Sequence, residues 1–91
     1  MAARIEVDNV KEGEFKVRVI EGTSESTHRV TLKQDDYRRL SGGKIEPYEL
    51  IRRSFEFLLA REPKESILSQ FDLPLVGRYF PEYERELKRK I

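Results

Sequence analysis

The four prolines of this 91-residue chain all lie in its second half, at positions 47, 63, 74 and 81. Three of them begin a short proline–glutamate motif: Pro47-Tyr48-Glu49, Pro63-Lys64-Glu65 and Pro81-Glu82-Tyr83-Glu84. Proline fits the first position of a helix, where its missing N–H would have no helical partner. A glutamate in the first turn interacts favourably with the positive end of the helix. The second half is therefore predicted to hold short helices with marked starts, and the proline-free first half to hold strands.

Alternation of apolar and polar side chains supports strands in the first half. It covers three segments, Arg4 to Val10, Phe15 to Ile20 and Thr27 to Lys33. A period of two with β-branched and aromatic residues is typical of half-buried strands. The connecting segments are short and contain Gly13 or Gly22, which favours antiparallel pairing of consecutive strands. The pattern predicts a three-stranded antiparallel meander with one solvent-facing side.

The second half is predicted to contain three to four short helices. Asp35 or Asp36 is expected to cap the first, which Gly42-Gly43 would end. A broad apolar arc predicts that the helix from Pro47 to about Arg61 is central in the fold. The remaining segments are a helix from Pro63 to Phe71, a brief helical or irregular piece from Leu75 to Phe80, and a last helix from Pro81.

These elements predict a single α+β domain over residues 1–91. Residues 1–34 would supply the strands, and residues 35–91 a helical half packed on one face of the sheet. A chain of this length has a limited core, so most large apolar side chains are expected to serve packing.

Composition narrows the function classes. Lysine and arginine total 18 against 17 acidic residues, a formal net charge of +1, whereas a nucleic-acid binder usually carries a basic excess. Cysteine is absent, which excludes disulfides, thiolate metal sites and cysteine nucleophiles. No apolar run is long enough to span a bilayer. We therefore expect a cytoplasmic protein without a cofactor.

His28 is the only histidine, and it carries the one enzymatic alternative. It falls on the same strand face as Val30 and Leu32, without the ligands that a zinc site needs. The simpler interpretation is a histidine that packs or forms hydrogen bonds at the end of a strand. The sequence thus predicts a non-enzymatic protein, with a small enzyme centred on His28 as the alternative.

Three segments resemble a ribbon-helix-helix regulator: Thr27 to Lys33, Asp35 to Leu40 and Glu49 to Phe55. That family pairs one strand per subunit across a dimer and inserts it into the DNA major groove. The resemblance implies that Arg29, Thr31 and Lys33 would contact bases. The short first helix and the two preceding strands depart from the family pattern. Glu46 and Glu49 would also repel a phosphate at the start of the second helix.

The segment from Arg78 to Tyr83 concentrates aromatic residues beside an arginine, which are residue types enriched in protein interfaces. The candidate binding residues are Arg78, Tyr79, Phe80 and Tyr83. Phe80 and Tyr83 fit the inward stripe of the last helix, whereas Tyr79 points elsewhere. The leading hypothesis is an interaction module that binds an unidentified protein through this segment, or binds itself through a sheet edge.

A second resemblance covers roughly the last 40 residues. The segments Ser54 to Leu59, Arg61 to Leu68 and Tyr79 to Glu84 look like a family of small bacterial proteins of unassigned function. This resemblance implies a bacterial cytoplasmic origin and implies no activity.

Overall fold

The computed structural model describes residues 3–90 and contains one four-stranded sheet in the order β1-β2-β3-β4. The first three strands are β1 (Arg4–Lys11), β2 (Glu14–Glu21) and β3 (Ser24–Thr31). Each pairs antiparallel with the next, which confirms the predicted meander. The first turn needs a glycine because Gly13 has φ of +76° and a Cβ there would lie 3.2 Å from the Leu32 carbonyl oxygen.

The sheet has one apolar face and one charged face. Phe15, Val17 and Val19 of β2 are at most 5% exposed and point into the core. Lys16 and Arg18 lie between them on the opposite face, where Arg18 Nη1 is 2.9 Å from the Glu6 carboxylate. The alternation in the sequence therefore separates core from solvent as predicted.

Within residues 34–90 the structure has four α-helices and one short 3-10 helix (Lys64–Ser66). The α-helices are α1 (Gln34–Ser41), α2 (Pro47–Leu59), α3 (Leu75–Tyr79) and α4 (Tyr83–Arg89). Pro47 occupies the first helical position, as predicted. Pro63 and Pro74 immediately precede their helices, and Pro81 lies two residues before α4. Proline therefore marks the start of each of these elements, although it is the first helical residue only in α2.

The ends of α1 match the prediction only in part. Gly42 adopts φ of +65° and its N–H bonds the Arg38 carbonyl, so glycine ends the helix as predicted. The predicted Asp35 or Asp36 cap is wrong, because Lys33 holds the capping position without a side-chain hydrogen bond. Both aspartates instead lie in the first turn, where their negative charges interact favourably with the positive end of the helix dipole.

The predicted helix from Pro63 to Phe71 is wrong. After the 3-10 helix the chain extends into a fourth strand, β4 (Gln70–Asp72), which pairs parallel to β3. Val30 opposes Phe71 in this ladder. The side chains of Ile67 and Phe71 remain buried, but Leu68 points outward with 46% exposure. The helical half thus completes the sheet as well as covering it.

Helix α2 lies at the centre of the core. The Phe55 ring is 5.4 Å from the His28 ring of β3 and 6.0 Å from the Phe71 ring of β4, measured between centroids. On its other side Ser54 forms a hydrogen bond with Tyr83 of α4. The central position predicted for this helix is therefore confirmed.

Candidate functional site

A groove of about 360 Å³, lined mainly by apolar residues, lies beside β4. We call it the α3–β4 groove. Its lining residues come from the end of α2 and the residues after it, the 3-10 helix and the segment that follows, β4, and α3 with the residue after it: Leu58, Glu62, Ser66, Ile67, Leu68, Phe71, Leu75, Val76, Tyr79 and Phe80.

Two exposed apolar side chains line this groove. Leu68 is 46% exposed and Tyr79 is 65% exposed. The other large apolar residues with comparable exposure in residues 3–90, Val10 and Tyr48, do not line it. Exposed apolar groups that converge on one concavity are typical of a binding surface, whereas scattered ones need no functional explanation.

A hydrogen bond from the sheet fixes the Leu68 side of the groove. His28 is 2% exposed, and its Nδ1–H donates to the Leu68 carbonyl oxygen at 2.8 Å. Its Nε2 then accepts a hydrogen bond from the Ser26 hydroxyl at 2.7 Å. The bond from His28 to the Leu68 carbonyl oxygen holds the backbone at position 68, while the Leu68 side chain remains at the surface.

Helix α3 forms the opposite wall. Val76 is buried, and Tyr79 projects from the last turn into solvent. Phe80 is partly buried and packs edge-on against Phe57 of α2, with centroids 5.8 Å apart. Val76 and Phe80 thus anchor this wall to the core, while the Tyr79 ring remains accessible to solvent.

One carboxylate, that of Glu62, lines the groove, and no lysine or arginine does so among the described residues. Glu62 makes no ion pair within residues 3–90, whereas the neighbouring Arg61 binds Glu82 at 3.1 Å and lies 3.6 Å from the centroid of the Phe57 ring. The groove is therefore apolar with a negative edge.

The structure divides the predicted protein-binding residues. Tyr79 and Phe80 line the α3–β4 groove, and Arg78 is exposed beside them without lining it. Tyr83 has no exposed surface, and its hydroxyl lies 2.6 Å from that of Ser54. The prediction that Tyr83 contacts a partner is therefore corrected, because the inward stripe of α4 places this residue in the core.

The ribbon arrangement expected for Arg29, Thr31 and Lys33 is not available in this fold. Along residues 29–31, strand β3 pairs with β2 on one edge and with β4 on the other, so this part of the strand has no free edge for a second subunit. Arg29 binds the Glu14 carboxylate at 2.9 Å, and the Thr31 hydroxyl donates to Asp72 at 2.7 Å. Lys33 lies beyond the strand, at the capping position of α1. This strand therefore pairs within the chain, and the strand pairing across a dimer that the DNA-binding alternative requires is corrected.

The alternative centred on His28 meets a steric obstacle. Both ring nitrogens are engaged, and the side chain is almost fully buried. In residues 3–90, no group of three His, Asp or Glu side chains is arranged to hold a metal ion. The histidine lies on the predicted strand face, with Val30, and both packs and forms hydrogen bonds there, but it lies within β3 and not at the end of a strand.

Sequence reasoning missed Leu68 and Glu62 as surface groups of one site. The predicted helix from Pro63 to Phe71 gave no indication that Leu68 is exposed, although Gln70, Phe71 and Asp72 carry a short polar–apolar–polar alternation. Three residues of alternation are too few to distinguish a strand from a helix.

Membrane crossing has no support among the described helices, since none combines sufficient length with an apolar sequence. Comparisons with models of known protein families, with curated protein sequences and with solved structures found no match to this chain.

Proposed function

We propose that this protein is a non-enzymatic interaction module that binds another protein through the α3–β4 groove. The observation that carries the proposal is the convergence of Leu68 and Tyr79 on one apolar concavity. Large aromatic and aliphatic side chains on a packed support are the usual anchors of protein interfaces.

Rigidity on one side and exposure on the other favour binding. The Leu68 backbone is held by His28, and Phe80 packs against Phe57. A surface whose backbone is already ordered loses less conformational entropy when a partner binds. The same contacts that stabilise the fold would therefore contribute to affinity.

The proposed setting is a reducing compartment such as the bacterial cytoplasm. The absence of cysteine agrees with this setting. Non-covalent packing, rather than disulfides, would then maintain the groove in that compartment.

Affinity capture from the source lysate tests the proposal with matched tyrosine variants. Tyr79→Ala removes an exposed groove residue, and Tyr48→Ala removes a similarly exposed tyrosine from α2, outside the groove. We expect Tyr79→Ala to lose the specific protein captured by the wild type, and Tyr48→Ala to retain it. Nuclease treatment should leave the capture unchanged.

The proposal fails if Tyr79→Ala and a Leu68→Ser variant both retain every captured protein while remaining folded by circular dichroism. Capture that disappears on nuclease treatment would also contradict it. Sedimentation of the wild type and of Tyr79→Ala shows whether the captured protein is a second copy of the chain.

A further inference from the structure

We propose that the α3–β4 groove takes an extended, basic peptide segment of the partner, which adds a fifth strand to the sheet along the free edge of β4. An apolar side chain of that segment would lie between Leu68 and Tyr79. This inference rests on the proposed function, and it specifies the conformation and the charge of the bound segment.

β4 is the last strand of the sheet and pairs with β3 on one edge only. The Arg29 N–H donates to the Ser69 carbonyl oxygen at 2.8 Å, and the Leu73 N–H donates to that of Thr31 at 2.9 Å. In a parallel ladder, alternate residues of one strand bond to its neighbour. Ser69, Phe71 and Leu73 therefore face β3, and the backbone groups of Gln70 and Asp72 face outward.

The groove adjoins this edge on the correct face of the sheet. Phe71 points to the core side of β4 and lines the groove. A strand added beside β4 would direct alternate side chains to the same side, since successive residues of a strand point to opposite faces. Backbone pairing and insertion of an apolar side chain would thus occur together, as in peptide recognition by strand addition.

The opposite edge of the sheet, β1, is less suited to accept a strand. The pairing of β1 with β2 shifts between Asn9 and Lys11, and the Asn9 side chain donates to the Lys11 and Glu14 carbonyl oxygens. Charged Arg4, Glu6 and Asp8 alternate along its outer face. Irregular pairing and charge are common means of preventing association at a sheet edge. β4, by contrast, pairs in continuous register along its length.

The charge around the groove selects a basic segment. Glu62 lines the groove, and Glu65 and Asp72 belong to the same stretch of chain. Within residues 62–72 the one cation is Lys64, which is already bound by Glu21 and Glu65. Arg78 is exposed beside the groove but does not line it. A lysine or arginine in the bound segment would complement this excess of carboxylates. The same carboxylates would repel an acidic segment.

Selection of short random peptides displayed on phage provides the probe. We expect the wild type to enrich peptides that combine a large apolar residue with lysine or arginine. Binding of a selected peptide should weaken about tenfold in Tyr79→Ala and at least several-fold in Glu62→Lys. It should be unchanged in Tyr48→Ala. Enrichment of acidic peptides, or of none, would overturn the inference.

Backbone N-methylation of the selected peptide tests strand pairing separately from groove binding. Strand addition uses alternate peptide N–H groups, so methylation should abolish binding at every second position and be tolerated between them. Loss without this period, with Tyr79 still required, would overturn strand addition and retain the proposed function. Binding that is equal in wild type, Tyr79→Ala and Leu68→Ser would overturn the proposed function itself.

Discussion

The hydroxyl oxygens of Ser54 and Tyr83 lie 2.6 Å apart in the core, and neither side chain has exposed surface. Ser54 also donates a hydrogen bond to the Leu50 carbonyl oxygen at 2.8 Å. The serine hydrogen is thus committed to its own helix, and the tyrosine hydroxyl donates to Ser54. This arrangement joins α2 to α4 and removes Tyr83 from the surface.

Removing the Ser54 hydroxyl should lower the free energy of unfolding more than removing the Tyr83 hydroxyl does. Ser54→Ala leaves the buried Tyr83 hydroxyl without its acceptor, which should lower the free energy of unfolding by about 1 to 3 kcal/mol. Tyr83→Phe leaves Ser54 bonded to Leu50 and should cost only about 1 kcal/mol. Urea unfolding of both variants measures the difference. An equal cost, or a larger cost for Tyr83→Phe, would contradict the assigned direction of the bond.

Alkaline pH should destabilise the wild type through Tyr83. Burial raises the pKa of Tyr83 from 10.0 to about 12, so the unfolded chain releases this proton at lower pH than the folded chain. The tyrosine's contribution is fully present below pH 10 and is lost as pH rises toward 12, by on the order of 2 kcal/mol. Urea unfolding across this range should show a shallower loss for Tyr83→Phe. Parallel pH profiles for the two proteins would refute the effect.

Acid should weaken the start of α2 through Glu49. Hydrogen bonds from Arg52 and Arg53 lower the pKa of Glu49 from 4.5 to about 2. The stabilisation is therefore present above pH 4.5 and disappears as pH falls toward 2. Glu49→Gln should cost about 1 kcal/mol at neutral pH, because the partly exposed arginines are screened by solvent. The wild type and the variant should converge in acid unfolding experiments; a constant difference down to pH 2 would argue against this role.

His28 should control the local stability of β4. His28→Leu removes the donor to the Leu68 carbonyl and should cost about 1 to 3 kcal/mol. The Arg29 amide bonds Ser69 across the β3–β4 junction, so its hydrogen exchange should accelerate. The Val19 amide, in the middle of β2, serves as an internal control. If both amides changed equally, the histidine would support the whole fold and not specifically this junction.

The meander was predictable because each strand pairs with a neighbour in sequence and shows its two-residue period over several residues. The end of α1 at Gly42 was likewise predictable, because it depends on a local requirement for positive φ. Strand β4 was not predictable in this way, because it has three residues and its partner β3 lies about 40 positions earlier. Pro63 and Glu65 resemble a helix start, and in the structure they belong to a single 3-10 turn.

The candidate site was only half predictable for the same reason. Tyr79 and Phe80 stand out as adjacent aromatics, and helical spacing already indicated that Tyr83 points inward. Leu68 becomes an exposed groove residue only because the chain turns from the 3-10 helix into β4. The hydrogen bond from His28 to the Leu68 carbonyl oxygen joins residues 40 positions apart in sequence, so no local sequence pattern indicates it.

Photo-crosslinking in the source cells tests the α3–β4 groove most directly. A photoreactive phenylalanine analogue would replace Tyr79 in one protein and Tyr48 in a control, since both positions are exposed and only the first lines the groove. The account predicts a discrete protein adduct at position 79 that is absent at position 48 and is lost when Leu68→Ser is added. No adduct at position 79, or the same adducts at both positions, would contradict it.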